Sequence, residues 1–465
     1  VQLKGDELAK LNTNNALQAM QGQTAGVNII SESGQPGSDM KVIIRGQGSN
    51  TNNSPLYIID GIAGDIKNIN PSDILRIDVL KDAASAAIYG AQAANGVMLV
   101  TTKTGNDGPS KVTFDGYMGW ESVARKIDMC NAQQYMTLMD EQALNSGDAA
   151  YNWSNYSSIY DSNGNINNTN WIDKMFKNNA KTQNYTVGIN GGTATSSYAV
   201  SLGYYSQEGI VGGSSVSNYE RYNVRANMEQ KLYGDFLKVG EIISMSYTKN
   251  KGIGTGNMYN NKLRGAYSSS PLQSLYLQND GRADLNNGYG YSIASDWYQY
   301  DGNPVASLYR GNNINDGQNW VANVYAEIQP VKNLKIKSQM GYNYSSSSYR
   351  SYSPDYVSTT NDMQTSGSTA YQSMYKGWSL TWINTATYDW KMGLHAFNAM
   401  IGIETERSQG DNMNGTNTLL SVYDQWSTAY LSNAKNTSSG TVYGYPSEDY
   451  HRVSYFGRIG WNYNE

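Results

Sequence analysis

Apolar residues recur at every second position over much of the chain beyond Lys111. Segments of about ten residues show this spacing, which is the repeat of a strand that crosses a bilayer with one apolar and one polar face. In residues 219–232 the apolar positions are Tyr222, Val224, Ala226 and Met228, and the polar positions are Arg221, Asn223, Arg225, Asn227, Glu229 and Lys231. A soluble sandwich rarely needs so charged a second face, whereas a water-filled lumen accepts it.

Later segments repeat the alternation: Leu334, Ile336, Met340 and Tyr342 oppose Lys335, Lys337, Gln339 and Asn343, and Phe397, Ala399, Ile401 and Ile403 oppose Asn398, Gly402, Glu404 and Glu406. Connection lengths also alternate, as between the periplasmic and outer sides of a barrel. Short turns are predicted at 191–196, 233–234, 331–333 and 391–394, and long loops at 124–181, 250–319, 346–375 and 410–449. Five tryptophans are predicted to form an interface girdle: Trp120, Trp320, Trp378, Trp390 and Trp461.

The first part of the chain has a different pattern, with short apolar strands separated by Gly-rich turns and small-residue helices. Thr13 is predicted to cap a helix through Ala16, Leu17 and Met20, and a second helix is predicted from Asp82 through residues 83–89, closed by Gly90. Strands are predicted at 27–30, 41–45, 56–59, 74–80 and 96–102. This pattern indicates a compact α/β unit.

Composition supports a membrane-spanning sheet rather than a soluble core. The chain has 39 Tyr and 47 Gly but only 16% charged residues, and its mean hydropathy of -0.58 comes from uncharged polar side chains. It contains no apolar run long enough for a transmembrane helix, and a closed barrel is the other structure that can span lipid. The net charge of -5 makes a nucleic-acid partner improbable on electrostatic grounds. A lone cysteine, Cys130, excludes an internal disulfide and a cysteine metal cluster.

The predicted fold is mainly β: a large antiparallel transmembrane β-barrel with an N-terminal α/β plug domain in its lumen. Residues 1–105 form the plug, and residues 106–465 form the first part of the barrel with long extracellular loops. About ten strands can be counted, whereas a barrel around such a plug is of the class with roughly 22 strands. The remainder of the barrel is therefore expected outside this sequence or from another chain. The polar opening stretch at Val1 has no signal-peptide features, so a processed or trimmed N-terminus is expected.

Several motifs resemble the plug of the SusC-like (SusC/RagA) TonB-dependent receptors. They are Ile44-Arg45-Gly46, the run from Pro55 through Ile58-Ile59-Asp60-Gly61, the run from Asn70-Pro71 to Tyr89-Gly90, Ala94-Asn95-Gly96-Val97 and Thr101-Thr102-Lys103. Leu202-Gly203-Tyr204-Tyr205-Ser206-Gln207-Glu208-Gly209 resembles the early barrel of the same family.

The resemblance implies TonB-dependent active import of oligomeric nutrients across the bacterial outer membrane. It also implies a SusD-like surface lipoprotein that closes over the barrel as a lid, with outer-membrane lipid around the strands. The family's TonB-contact segment precedes the plug and is not in this sequence. A passive porin or a surface adhesin barrel is the alternative, and the plug pattern between Leu8 and Lys103 counts against a porin.

Motifs for catalysis or metal binding are weak in this sequence. The two histidines, His395 and His451, lie on different predicted strands without a carboxylate pattern, so an enzyme is not expected. Asp161, Asn163, Asn165 and Asn167 have the spacing of calcium ligands, but Ile166 stands where the calcium loop needs glycine. No cofactor is expected beyond this weak calcium candidate, for which a merely polar loop is the alternative.

The candidate substrate site is a polar plug loop, residues 47–53, which the resemblance places on the outer side. Amide groups of Gln47, Asn50, Asn52 and Asn53 offer donors and acceptors to a neutral ligand. The long loops add flat rings, which sugars use for stacking: Trp153, Trp171, Trp297, Tyr298 and Tyr300. This chemistry favours an oligosaccharide over an oligopeptide. The alternative is that the segment only turns the chain and that the rings pack against the lid.

Overall fold

The computed structural model describes residues 2–463 except 12, 14, 49, 51, 83–86, 235, 257–260, 277–301, 358–362, 421–424, 434–439 and 448. The N-terminal part forms a small α/β unit, the plug, and the rest forms one large antiparallel sheet, the wall. The plug contains β1 Gln2–Lys4, α1 Gly5–Ala9, α2 Ala16–Ala19, β2 Val27–Ser31, β3 Met40–Ile44, β4 Leu56–Ile59, β5 Ile62–Ala63, β6 Ile74–Leu80 and β7 Val97–Thr102.

The plug is built on a five-stranded sheet in the order β1-β6-β7-β4-β5, beside a β2–β3 pair. All of its predicted strands are confirmed to within one residue at either end. Its core buries apolar side chains from both layers, including Leu8, Leu17 and Met20 of the helical part and Ile74, Ile77 and Met98 of the sheet.

The helix ends in the plug differ from the prediction. Thr13 does not cap α2: the Asn15 side chain accepts the Leu17 N–H at 2.9 Å, and the Thr13 hydroxyl donates to the Asn15 carbonyl instead. Asn is as good a cap as Thr, and it lies directly before the first helical residue. The predicted helix over 83–89 lies partly outside the described residues. A 3₁₀ helix spans Ala87–Asn95, and Gly90 is a kink inside it at φ 59° rather than its end.

The wall is an 11-stranded antiparallel sheet that runs from β8 at one edge to β18, which pairs with both β19 and β20. Since β19 and β20 share one neighbour, the described strands occupy ten positions, as counted from the sequence. The strands are β8 Gly108–Glu121, β9 Ala180–Gly192, β10 Ser196–Glu208, β11 Asn218–Leu232, β12 Leu237–Lys251, β13 Asn312–Val331, β14 Leu334–Ser353, β17 Thr369–Met392, β18 His395–Thr418, β19 Thr441–Pro446 and β20 Tyr450–Tyr463, with a separate pair β15 Tyr356–Val357 and β16 Met363–Gln364.

The wall buries its polar face and exposes its apolar face, which is the reverse of a soluble protein. On β11 the polar side chains Arg221 and Arg225 are 4% and 6% exposed, whereas the apolar Val224 and Met228 are 43% and 41% exposed. The polar face is covered because the plug packs on it. The apolar face is bare because it is the face for lipid, which confirms the predicted mainly β barrel wall around a plug.

The strands are longer than predicted on one side of the wall. β8–β12 have 13 to 15 residues, but β13 and β14 have 20 and β17 and β18 have 24. The predicted loop bounds at 319, 346, 375 and 410 are therefore wrong. The Ser-, Asn- and Gln-rich segments that were assigned to these loops instead extend the strands beyond the apolar band. Polar side chains do not prevent strand pairing in water. The short turns are confirmed between β9 and β10, β11 and β12, β13 and β14, and β17 and β18.

Long connections carry helices at the mouth of the wall: α3 Ala132–Asn145, α4 Trp171–Met175, α5 Arg264–Ser268 and α6 Pro304–Tyr309. α3 begins just after Cys130, and Asn131 and Gln134 form a reciprocal capping box at its start. α4, α5 and α6 share one apolar core, which we call the loop cluster. Among the described residues no helix is long and apolar enough to cross a membrane.

Aromatic rings follow two rows on the outward face. Tyr185, Tyr204, Tyr222 and Tyr247 contact one another across four neighbouring strands. A second row near the short turns joins Trp390, Phe397, His395, Trp461 and Tyr463. Of the predicted girdle, Trp120, Trp320 and Trp461 are 65%, 42% and 60% exposed. Such rows are typical of the two membrane interfaces of a barrel.

A glycine in β14 lets the plug approach the wall closely. A Cβ atom at Gly341 of β14 would lie 2.8 Å from Ile62 of the plug hairpin, which is itself 2% exposed. By contrast, a Cβ atom at Gly119 of β8 would meet nothing within 4 Å.

We therefore expect Gly341→Val to weaken the seating of the plug, since overpacking a close contact costs about 1–3 kcal/mol. Gly119→Val, on another inward-facing position, should have little effect. Limited proteolysis of the plug in the assembled receptor measures the difference. Equal protease sensitivity of the two variants would contradict this contact.

Candidate functional site

One buried ion pair joins the plug to the wall. Asp60 lies in the β4–β5 turn with a positive φ of 49°, followed by Gly61 at 92°, which suits the Asp-Gly hairpin turn of the sequence. Its carboxylate accepts from the Thr102 N–H and hydroxyl at 2.9 and 2.8 Å and lies 2.8 Å from Arg225 Nη2. The Arg225 and Asp60 side chains are 7% and 11% exposed. The Asp60 carboxylate therefore has partners from both the plug and the wall.

Side-chain amides of the wall bind backbone carbonyls of the plug around this pair. Asn323 and Gln339 donate to the Asp60 carbonyl at 3.2 and 2.9 Å, and Asn343 donates to the Ala63 carbonyl. Further contacts join Arg221 to the Lys67 carbonyl, Asn223 to the Asn68 carbonyl, Ser246 to the Asn68 side chain and Asn70 to Thr186. The polar face predicted from alternation is therefore the surface that holds the plug.

Asp73 is a second acid buried at this interface. It is 8% exposed and lies beside Arg225 and Lys103. Burial raises the pKa of Asp73 above its usual range, and the hydrogen bond with Ser201 and the charges of Arg225, Lys103 and Arg221 oppose that rise. Its backbone accepts the Lys103 N–H at 2.8 Å, which ties the end of the plug to the same region.

A polar cavity, which we call the outer pocket, lies between the plug and the ends of β8–β10 on the side of the long connections. Its volume is about 630 Å³. The wall contributes Glu121, Thr182, Tyr205 and Gln207, and the plug contributes Thr13, Asn15, Gln18 and the segment 31–40. Glu121 accepts from Thr182 at 2.7 Å and from Gln207 at 3.0 Å, so its charge is shared among neutral donors. Hydroxyl and amide groups of this kind suit a neutral polar ligand.

Sequence reasoning missed the outer pocket. Its plug segment carries Ser33, Gly34, Gln35, Gly37 and Ser38, which is the same composition that singled out residues 47–53. The wall residues belong to alternating strands, where nothing in the pattern separates a pocket position from any other lumen position.

The predicted loop 47–53 is an exposed turn of the plug. Gln47, Asn50 and Asn52 are exposed and Asn53 is half-buried. The Asn53 side chain accepts the Gly48 N–H at 2.9 Å, and Asn95 donates to the Asn52 carbonyl at 3.0 Å. Three of the four amides are therefore open to solvent, and substrate binding at this loop stays a prediction.

The predicted aromatic residues separate into different settings. Trp171 is 3% exposed in the loop cluster, and its indole N–H donates to the Ser270 carbonyl at 2.9 Å. Its ring faces are covered, so the expectation that it stacks on a ligand is wrong for this state. Trp153 is half-buried against Tyr151 and Tyr156 and donates to Asp140. Trp297, Tyr298 and Tyr300 lie outside the described residues.

The calcium candidate is a hydrogen-bonded turn. Asp161 Oδ1 accepts the N–H groups of Asn163 and Asn165, both at 2.8 Å. The backbone hydrogen bond from Asn165 is the chief reason that the pKa of Asp161 lies below its usual range. Among the described residues no three His, Cys, Asp or Glu side chains are grouped as metal ligands. Calcium at this turn stays a prediction.

The two histidines have different neighbours. His395 stacks on Trp461, whose indole N–H donates to its Nδ1 at 3.0 Å. His451 lies 3.2 Å from Asp449 on the exposed face. Cys130 is exposed and unpaired. The two histidines thus lie on strands of the wall, and Cys130 lies in the connection after β8.

Comparisons with known proteins agree with this architecture. Residues 1–97 match the family model of the TonB-dependent receptor plug domain. The TonB-dependent receptor SusC of Bacteroides thetaiotaomicron is 28% identical over 435 residues, which cover 87% of this chain and 40% of the relative. The TonB-dependent receptor P26 of Formosa agariphila is 31% identical over 465 residues, which cover 96% of this chain and 43% of the relative. The chain thus spans about two fifths of the length of these relatives.

A solved structure has the same fold. The RagAB peptide importer in its closed-closed state superposes with a TM-score of 0.81 at 24% identity, over 100% of this chain and 53% of that one. At this identity the likeness concerns the fold alone.

A plug held in the lumen of an outer-membrane β-barrel defines the class of TonB-dependent receptors, which are transporters rather than an enzyme class. Within this class, the chain is similar to SusC and P26 in sequence, and its plug matches the plug-domain family.

Removing the buried cation should loosen the plug. Arg225→Gln leaves the Asp60 carboxylate buried without its charge partner, which costs roughly 3–5 kcal/mol for a pair of this kind. The matched control is Arg407→Gln, because Arg407 pairs with Asp449 at side-chain exposures of 50% and 40%, where solvent screens the interaction.

Hydrogen exchange of the β4–β5 turn in the assembled receptor measures the effect. Faster exchange is expected for the Arg225 variant only. The same exchange rate in both variants would show that the pair does not hold the plug.

Proposed function

We propose that this chain forms the entry and the gate of an energised importer of oligomeric nutrients. The main support for this proposal is the seated plug. The buried Asp60–Arg225 pair and the surrounding amide contacts hold it against the inner wall. A seated plug blocks free diffusion, so passage requires work on the plug. In this family the inner membrane supplies that work through TonB, which we propose as a partner here.

The second proposed partner is a SusD-like lipoprotein that closes over the mouth. Support comes from the SusC relative and from the folded loop cluster of α4, α5 and α6, which gives the mouth a packed surface on the side of the long connections. With such a lid, the long loops would be extracellular and the short turns periplasmic, which we propose as the orientation of the wall.

An oligosaccharide is the proposed substrate class. The outer pocket presents hydroxyl and amide groups from Thr13, Gln18, Thr182 and Gln207, and Tyr205 adds a ring at its wall. Neutral donors and acceptors of this kind match sugar hydroxyls. An oligopeptide is the alternative, since peptide amides use the same partners and RagAB is a peptide importer.

Energy coupling is tested by deleting TonB. Uptake of a labelled neutral oligosaccharide pool by cells that carry the full receptor should fall to the level of cells without the receptor. A passive porin needs no energy source, so uptake that persists unchanged in the deletion strain would favour the porin instead.

Two groups of substitutions locate the substrate. Replacing Gln47, Asn50, Asn52 and Asn53 together by Ala tests the plug loop, and Gln207→Ala with Thr182→Val tests the outer pocket. Each lost hydrogen bond to a neutral ligand is worth about 0.5–1.5 kcal/mol, so either set should weaken binding several-fold if its groups contact the ligand.

Calorimetry on the purified receptor and lid compares neutral oligosaccharides with peptides. Full affinity after the plug-loop substitutions would remove that loop from the site. Binding of peptides alone would overturn the choice of substrate class.

A further inference from the structure

Glu121 is the one charged side chain among the described residues that line the outer pocket. The other lining groups are hydroxyls, amides, glycines and apolar or aromatic side chains. Glu121 is the last residue of β8 and is half-buried, whereas Gln18 and Ser31 on the plug side of the pocket are exposed. The described lining is therefore open to solvent and carries a single negative charge.

Neutral donors hold the Glu121 carboxylate, and it forms no ion pair with the described part of the chain. The Thr182 hydroxyl donates to Oε1 at 2.7 Å, and the Gln207 amide donates to Oε2 at 3.0 Å and to Oε1 at 3.3 Å. An ionised carboxylate has about four acceptor sites. These contacts fix the orientation of Glu121 and leave acceptor capacity for a ligand.

The charged residues that flank the lining segments are paired with charges of opposite sign. These pairs are Lys41–Glu32 at 3.8 Å, Lys67–Asp39 at 2.7 Å and Lys177–Glu208 at 2.8 Å. Lys181 precedes Thr182 on β9 but does not line the pocket, because successive side chains of a strand point to opposite faces. The flanking charges therefore offset one another, whereas the charge of Glu121 is not offset.

A buried cation of the inner wall, Arg221, does not neutralise the outer pocket. It is 4% exposed and is not among the lining residues, and its Nη1 donates to the Lys67 carbonyl at 2.8 Å. Its cross-strand neighbour Tyr205 lines the pocket in its place. A ligand in the pocket therefore meets the Glu121 carboxylate rather than the Arg221 guanidinium.

A carboxylate without a cation partner discriminates ligands by their charge. Like charges repel, and the repulsion is stronger at a half-buried site than in open water because less solvent screens it. A ligand hydroxyl or ammonium group can donate to Glu121, and an ammonium does so most strongly. An ionised carboxylate or sulfate has acceptors only, so it meets both repulsion and a missing hydrogen bond at this residue.

We propose that Glu121 selects the cargo by charge: the outer pocket accepts a neutral or amine-bearing unit and rejects a unit that carries carboxylate or sulfate. This selection rests on the proposed import function, with the outer pocket as a binding place. It adds the charge class of the ligand, for a sugar and for a peptide alike. Glu121 is the specificity-determining residue, and Thr182 and Gln207 are positioning residues that hold its carboxylate.

The charge of the outer pocket can be measured without a substrate. In the full receptor with Cys130→Ser, Gln18→Cys places a thiol on the exposed plug side of the pocket. Its rates of modification by a cationic and by an anionic methanethiosulfonate reagent are each divided by the rate for β-mercaptoethanol. The ratio of the two values cancels changes in the reactivity of the thiol itself, so it measures the potential in the pocket.

The parent should favour the cationic reagent. Glu121→Gln should reduce this preference roughly three- to tenfold, since reagents of opposite sign respond to the lost charge in opposite directions. Glu121→Asp, which keeps the charge, should keep the preference, and added salt should weaken it. All variants are compared after the same heat-modifiable migration. Equal ratios in the parent and in Glu121→Gln would overturn the proposal.

Asp411→Asn is the matched control, because it also removes one negative charge from the wall. Asp411 of β18 pairs with Lys376 of β17 at 3.1 Å and does not line the outer pocket. This variant should leave the ratio at position 18 unchanged. A shift as large as that of Glu121→Gln would overturn the assignment to Glu121, because the ratio would then follow the net charge of the receptor.

Calorimetry with the purified receptor and lid tests the selection of cargo. One probe is a neutral oligosaccharide pool, and the other is the same pool with its primary hydroxyls oxidised to carboxylates. The parent should bind the oxidised pool roughly tenfold more weakly, which is the effect of losing one hydrogen bond to a charged group. Glu121→Gln should narrow this difference. Equal affinities in the parent would overturn the proposal.

The same comparison is available if the receptor binds peptides instead. Peptides that differ only by glutamine in place of glutamate then replace the two oligosaccharide pools, with the same expected order and the same contradicting outcome. The thiol measurement uses neither TonB nor a substrate. It therefore fails independently of the uptake test for import.

Discussion

The burial of one charge pair sets the arrangement of the rest of the molecule. The buried carboxylate of Asp60 needs partners away from water, and Arg225 and the N–H and hydroxyl of Thr102 supply them. That requirement fixes the β4–β5 hairpin against β11, and the hairpin in turn brings its carbonyls within reach of Asn323 and Gln339. The inner wall is polar because it must receive this plug, and the outer face is apolar because it meets lipid.

The contacts around the pair are mostly neutral. Asn and Gln side chains donate to plug carbonyls, and each such bond can be exchanged for a bond to water at little net cost. Many weak bonds and one buried ion pair hold the plug on the wall, and the ion pair gives it a defined point of attachment.

Most strands of the plug and the wall could be predicted from the sequence, because strand alternation and motifs are local patterns. Arg221, Arg225 and Asn223 were assigned to the lumen from spacing alone, and they are the side chains that hold the plug. The partner of Arg225 could not be predicted, since Asp60 lies 165 positions away and pairs only after the plug has entered the wall. The outer pocket was missed for the same reason: Glu121, Gln207 and Ser33 come together from three distant segments. Trp171 was misjudged because burial of a loop ring depends on α5 and α6, which approach from far along the chain.

The unequal strand lengths give the mouth two kinds of rim. Along β13 to β18 the rim is a continuation of the hydrogen-bonded sheet, with strands of 20 to 24 residues. Along β9 to β12, whose strands have 13 to 15 residues, the loop cluster takes its place. Bending the first rim breaks a cooperative backbone ladder, whereas shifting the second disturbs side-chain packing over a small core. Backbone hydrogen bonds therefore hold the rim along β13 to β18, whereas side-chain packing in the loop cluster holds the rim along β9 to β12.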